Sequence, residues 1–399
     1  MKNLKFLALA AGAVGLASLV AGKAQATDVS AADIAVYSCS DSYYGESGSY
    51  WDHLSSWGTT RSTYDANCTT GHTSNSPGSV VTATATLRAA TAQTVGIIAN
   101  RLAAVKSASG KAMPVRVSVN EDMTAGEIGL SGGDKKRGIG VWVQGSFTHV
   151  NDDNTATEFD GNIFTFMAGV DKKIGSRAIV GVSAGYENSS LDTDYNLGEI
   201  DGSGYLVAPY ASFQINETFS IDANVGYAWL DYDMNRTDSV NSEYFSGKTD
   251  ATRYWGLVSA NGDWSRNKLN YGASLSALYT KEKRDAFAET GNGNTGIVSQ
   301  GSVSSKLGQV RLGGQVGYDL GKVEPYAKAR VEYDFTKTKV TVASNQTKPA
   351  DDDLGAVVGA GINLKLSPAI TGVVEGEYGG LFRSDYNEYS ALARLRIEF

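Results

Sequence analysis

The chain has 399 residues, a formal charge of −8 at pH 7, 46 glycines, 21 tyrosines and only 6 prolines. The acidic balance excludes nucleic acid as a partner, because phosphate recognition needs a basic surface. Three histidines and two cysteines offer little material for a metal centre, and no cofactor is expected.

The first element is a leader. Lys2 and Lys5 precede an apolar run from Phe6 to Val20, and Ala24-Gln25-Ala26 follows as a small-x-small site. Charge, length and cleavage chemistry are those of a secretory signal peptide over 1–26, and the run is shorter than the ~20 residues that span a bilayer. Residues 27–78 are rich in Ser, Thr, Tyr and Gly, poor in Leu, Ile and Val, and without sustained periodicity. They read as a short, weakly folded or disulfide-pinned segment. Cys39 and Cys68 are a lone pair, suited to a disulfide in an oxidising periplasm and poorly suited to zinc. The Tyr and Trp residues of 37–64 fit an adhesive surface or a plug equally well.

Residues 79–108 form a predicted helix: Leu87, Val95, Ile98, Leu102 and Val105 recur at helical spacing among alanines, with Ser79 as N-cap. No acidic residue occurs between Asp65 and Glu121, whereas Arg88, Arg101, Lys106, Lys111 and Arg116 are all basic. A helix of one sign belongs in an acidic or mixed-charge channel. Residues 109–136 connect it to the first strand.

From 137 to 399 the pattern is β: segments 138–149, 159–174, 178–188, 202–215, 218–233, 251–265, 268–281, 303–320, 322–337, 354–366, 369–382 and 386–399. Tight turns alternate with longer polar connections such as "NSSLDTDYNLGEIDG", "MNRTDSVNSEYFSGKTD" and "AETGNGNTGIVSQGS". Short turns on one rim and long loops on the other describe a transmembrane barrel. The faces agree. Val323, Pro325, Ala327, Ala329, Val331, Tyr333 and Phe335 share one face, and Glu324, Lys328, Arg330, Glu332 and Asp334 the other. Likewise Phe219, Ile221, Ala223, Val225, Tyr227 and Trp229 oppose Ser220, Asp222 and Asn224. Apolar-out and charged-in is the membrane arrangement, and aromatics at strand ends (Phe164, Phe219, Tyr254, Tyr318, Tyr333, Tyr378, Phe382) supply interfacial girdles. The last stretch, "ALARLRIEF", alternates to its final residue and is expected to close onto the first strand near "GIGVWVQGSF", which leaves no free edge.

Taken together, the leader, the helix, the approach "GLSGGDKKRGIGVWVQGSF", the runs "AGVDKKIG", "VGVSAGYENS", "LVAPYASF" and "VGYAWLDYD", and the terminal aromatic resemble the translocator domain of type V autotransporters over about 79–399. The resemblance implies an all-β, 12-stranded antiparallel outer-membrane barrel with the helix in its lumen, leading an N-terminal passenger to the cell surface. It implies insertion by the barrel-assembly machinery, with periplasmic chaperones, reading Leu395, Ile397 and Phe399 as the signal. Partners are then outer-membrane lipid and lipopolysaccharide and an unknown surface ligand. A lumen carrying Asp222, Glu324, Lys328, Arg330, Glu332, Asp334, Glu375 and Glu377 suits a helix bearing Arg88, Arg101 and Lys106. The passenger, 27–78, is short for this family and carries no protease triad or esterase motif, so no enzyme is expected. The alternative reading is a plugged structural or channel-type barrel without export. His149 beside Asp152 and Asp153, "NDDN" at 151–154 and "DDD" at 351–353 read as solvated rim residues.

Overall fold

A computed structural model describes residues 82–108, 139–238, 243–292, 297–340, 347–367 and 370–398. The expectations placed on 1–81, including the leader, Cys39, Cys68 and Ser79, lie outside the described residues, as do the 109–136 connection and Phe399. Helix α1 spans Ala83–Ala108. The strands are β1 (Ile139–Asp152), β2 (Phe159–Ile174), β3 (Ala178–Thr193), β4 (Gly198–Gln214), β5 (Phe219–Asp238), β6 (Glu243–Arg266), β7 (Leu269–Arg284), β8 (Phe287–Gly291), β9 (Ile297–Gln300), β10 (Val303–Tyr318), β11 (Val323–Lys337), β12 (Leu354–Ser367), β13 (Ile370–Leu381) and β14 (Tyr386–Glu398).

Every neighbouring pair is antiparallel, and the sheet closes on itself. β1 pairs with β2 on one side and with β14 on the other, in register from Gly140 opposite Glu398 to Asp152 opposite Tyr386. Twelve strands make the wall, and β8 with β9 forms a hairpin extending the upper end of β6. The strand predicted to end in mid-alternation is therefore paired on both edges, by β13 and β1.

The connections at one rim are tight and chemically specified. Gly175 (φ 62°) and Gly321 (φ 94°) take the left-handed backbone of the β2–β3 and β10–β11 turns. In the β4–β5 turn the Asn216 carboxamide accepts from the amides of Thr218 and Phe219 at 2.9 and 2.8 Å. The opposite rim differs from the sequence expectation. Much of what reads as loop is strand: β3 and β4 stay paired to Thr193 opposite Gly198, and β5 and β6 to Asp238 opposite Glu243. A membrane strand needs only about 9–11 residues, so β5 with 20 and β6 with 24 project well beyond the lipid. Their ladder hydrogen bonds continue there while outward positions turn polar (Asp231, Asp233, Lys248), because water rather than lipid now faces them.

Burial runs opposite to that of a soluble protein. Outward Val225, Leu312 and Val374 are more than half exposed, whereas inward Gln309, Glu324 and Glu282 are buried. Two aromatic bands bound the apolar wall. On the tight-turn side Trp264 stacks on Tyr271 and meets Phe219 edge-on. On the other, Tyr227 packs on Trp229 and Tyr186 on Tyr205. From Phe219 to Trp229 is about 33 Å along the strand, which a tilt of roughly 40° projects to about 25 Å, the height of a membrane barrel's apolar band.

Candidate functional site: the helix-filled lumen

α1 runs inside the barrel. Its alanine content and lack of proline suit a helix, and its first turn closes with Thr86 N donating to Thr82 O at 3.0 Å. Ala90, Ile97, Ile98 and Leu102 join Trp142, Ile163, Met167, Leu206 and Ala208 in one buried cluster. The helix is thereby seated toward the β1–β5 part of the wall. On its other side Ala92, Gly96, Ala99 and Ala103 line a cavity of about 260 Å³ together with Asp222, Asn261, Gly314 and Glu377.

Polar contacts at three successive levels fix the helix. At the long-strand rim, Thr84 donates to Thr338 O at 3.0 Å, and Arg88 makes a two-pronged pair with Asp334 at 2.8 and 3.2 Å. Asp334 also accepts from Arg383 at 3.1 Å and from Gln309 at 2.7 Å. At mid-height Gln93 donates to Thr148 Oγ1 and to Ile163 O, both at 3.2 Å, and accepts from Thr165 at 2.6 Å. At the tight-turn rim Arg101 grips Asp171 through Nε at 2.5 Å and Nη2 at 2.7 Å. Tyr210 donates to the same carboxylate at 2.9 Å and accepts from the Trp142 indole at 2.8 Å. Arg88 and Arg101 lie about 20 Å apart along the helix, close to the membrane span. Buried guanidinium–carboxylate pairs of this geometry stand because both partners are hydrogen-bonded; removing one strands the other's charge.

Gly140 makes the lowest contact feasible. A Cβ there would lie 2.4 Å from Arg101 Nη2 and 2.9 Å from Asp171 Oδ1, so only a bare backbone lets the pair cross β1.

The rest of the wall is held by ion pairs of its own. Arg253 bridges Glu187 and Glu282 at 2.9 Å each, Arg284 joins Glu282 at 3.0 Å and covers the Tyr232 ring, and Arg236 holds Glu289. Lys328 contacts Glu375 and Glu377, and Arg330 contacts Glu332 and Glu377. Asp222 accepts from Ser212 and Asn261, and Glu324 from Asn270.

Asp222, Glu324, Lys328, Arg330, Glu332, Asp334, Glu375 and Glu377 thus all sit on the inward face, and of these Asp334 hydrogen-bonds to the helix through Arg88. The Lys106 side chain lies outside the described residues. Asp171 is the partner that the sequence reading missed. Its signal was present in β2, where outward Phe164, Phe166, Ala168 and Val170 put Asp171 on the inward parity. Leu395 and Ile397 lie opposite Val143 and Val141 on the outward parity of β14, since Arg396 between them is buried inside.

This arrangement, a closed twelve-stranded wall around an N-terminal helix, has known counterparts. The family profile described as "Autotransporter beta-domain" matches residues 141–396. The chain belongs to the autotransporter β-domain family. The fold resembles the translocator domain of autotransporter NalP from Neisseria meningitidis (TM-score 0.57, 18% identity, 66% of this chain and 89% of that one). It also resembles the β domain of the Bordetella autotransporter BrkA (TM-score 0.52, 15% identity, 66% and 100%). Among curated proteins, an extracellular serine protease of Serratia marcescens is 23% identical over 283 residues, 65% of this chain and 26% of that protein. Putative uncharacterized protein YaiT of Escherichia coli K12 is 24% identical over 249 residues, 60% and 25%. The chain therefore spans about a quarter of the length of the curated relatives it matches. Family and architecture make this autotransporter barrel an outer-membrane protein, crossing with strands; among the described residues no helix is long and apolar enough to cross.

Proposed function

We propose that this barrel carries the chain preceding α1 across the outer membrane and keeps α1 in the lumen afterwards as a fixed stop. The observation that carries the reading is the polarity of the helix. Its N-terminal end is bonded at the long-strand rim through Thr84 and Arg88, and its C-terminal half at the tight-turn rim through Arg101. Tight turns face the periplasm in membrane barrels, so the N-terminal end of α1 faces outward. In this reading 27–78 is the passenger, and the barrel performs no chemistry of its own: the inward charges described above hold the helix or bond within the wall. Leu395, Ile397 and Phe399 serve as the signal for barrel-assembly machinery, with lipopolysaccharide and outer-membrane lipid around the wall.

Protease treatment of intact cells, with an epitope placed just after Thr27, tests the reading. Loss of the epitope with the barrel preserved supports export. Survival until the outer membrane is permeabilised makes the protein a plugged barrel without a surface segment.

A further inference from the structure

The outer wall carries a charge arrangement that holding the helix does not use. On β7, Glu282 and Arg284 are buried in the lumen, so Lys281 and Lys283 point outward. Lys281 lies directly opposite Lys306 of β10 on one side and Tyr254 of β6 on the other. Lys283 makes an exposed pair with Asp285 at 2.8 Å, but among the described residues Lys281 and Lys306 have no acidic partner. Two like charges facing each other across a strand pair repel, and an anion between them reverses the sign of that interaction.

Their depth says which anion. Tyr279, two residues below Lys281, and Tyr254 beside it belong to the aromatic band on the long-strand side. The lysines therefore stand at the outer edge of the band, at the level of outer-leaflet headgroups. Beneath them runs an apolar strip of Leu275, Val310, Leu312 and Val316, each at least two-fifths exposed. Elsewhere the same rim is acidic or its lysines are paired: Asp160 faces Asp192 across β2–β3, Asp201 faces Asp233 across β4–β5, and Lys248 and Lys339 are held by Asp233 and Asp351. The basic site is local.

We propose that Lys281 and Lys306 clasp a phosphate of one lipopolysaccharide molecule, with Lys283 at its edge and its acyl chains lying on the Leu275–Leu312 strip. The proposal rests on the long-strand rim facing outward, and not on export of any passenger. It is read on the purified full chain in neutral detergent, so a failure of export leaves the result intact.

Native mass spectrometry of the delipidated protein with added lipopolysaccharide measures it. The K281Q/K306Q variant is expected to bind at least fivefold more weakly than the parent, and K322Q, altered at the opposite rim, equally well. Dephosphorylated lipopolysaccharide is expected to bind the parent no better than the intact lipid binds K281Q/K306Q. Equal binding by parent and double variant overturns the proposal, as does equal binding of the dephosphorylated lipid. Displacement by inorganic phosphate at matched phosphate concentration also overturns it, since the site would then take a free ion rather than a lipid. Should the double variant fail to fold, K306Q alone is read by the same criteria.

Discussion

Arg101 and Asp171 meet across a glycine. The guanidinium Nε is 2.5 Å and Nη2 2.7 Å from the carboxylate, and the pair occupies the place where a side chain on Gly140 would stand. Replacing Gly140 with alanine puts a methyl 2.4 Å from Arg101 Nη2 and forces the pair apart. G140A is expected to cost about 1–3 kcal/mol as an overpacked site. Urea unfolding of the refolded barrel in detergent, with helix release followed by a label on α1, checks this; an unchanged midpoint sinks it.

Removing one partner differs from removing both. R101A leaves Asp171 buried with Tyr210 as a remaining hydrogen-bond donor, and about 3–5 kcal/mol is expected to be lost. The double variant R101M/D171L leaves neither charge and is expected to recover most of that loss. Additive costs in the double-mutant cycle would refute the direct pair.

Arg88 stands in a more redundant place. Asp334 keeps Arg383 at 3.1 Å and Gln309 at 2.7 Å when Arg88 is removed, so R88A is expected to destabilise by less than R101A. Its effect shows instead at the outward mouth, where the end of α1 loses its two-pronged tie. Planar-bilayer recording is expected to show R88A conducting more than the parent, and R101A a larger loss of stability. The reverse ranking in unfolding experiments would count against this account.

The sequence exposed the architecture where alternation carries strong contrast. In β11, Glu324 to Asp334 on one parity and Val323 to Phe335 on the other leave little choice of face. It exposed less where contrast fades. At the outer ends of β3 to β6 the outward face turns polar (Asp192, Asp201, Asp233) while inward positions carry Leu191, Ile200, Met234 and Phe245, so the apolar-out pattern inverts although the ladder continues, and strand reads as loop. Partner choice was least legible, because it depends on the rotation and depth of α1 in the barrel. Eight inward charges were identifiable from parity, yet among them it is Asp334 that grips Arg88, and a second ionic anchor, Asp171, sits in "AGVDKKIG" beside two lysines that mask it. Gln93 gave no sequence signal at all, being an ordinary polar residue whose three hydrogen bonds come from β1 and β2.

Gln93 is accordingly a sharp test of how α1 is seated. Q93L keeps the size of the side chain but leaves Thr165, Thr148 and the Ile163 carbonyl facing an apolar group in the buried interior. A loss of about 2–3 kcal/mol is expected, near 1 kcal/mol for each hydrogen bond forfeited. Faster hydrogen exchange in the middle of α1, with both ends still protected, would mark the site as the mid-height anchor. Unchanged exchange would show that the apolar packing of Ile97 and Ile98 suffices alone.

Gly96 gives the opposite sign. A Cβ added there meets nothing within 4 Å, because this face of α1 looks into the 260 Å³ cavity. Glycine in a helix interior costs about 0.8–1 kcal/mol relative to alanine, and no wall atom opposes the added methyl. G96A is therefore expected to raise stability by about that amount, with the wall pairs of Lys328 and Arg330 undisturbed. A bulkier G96L extends into the same space and is expected to reduce ion flow past the helix in planar bilayers. If G96A destabilises, or G96L leaves conductance unchanged, the helix does not present this face to the cavity.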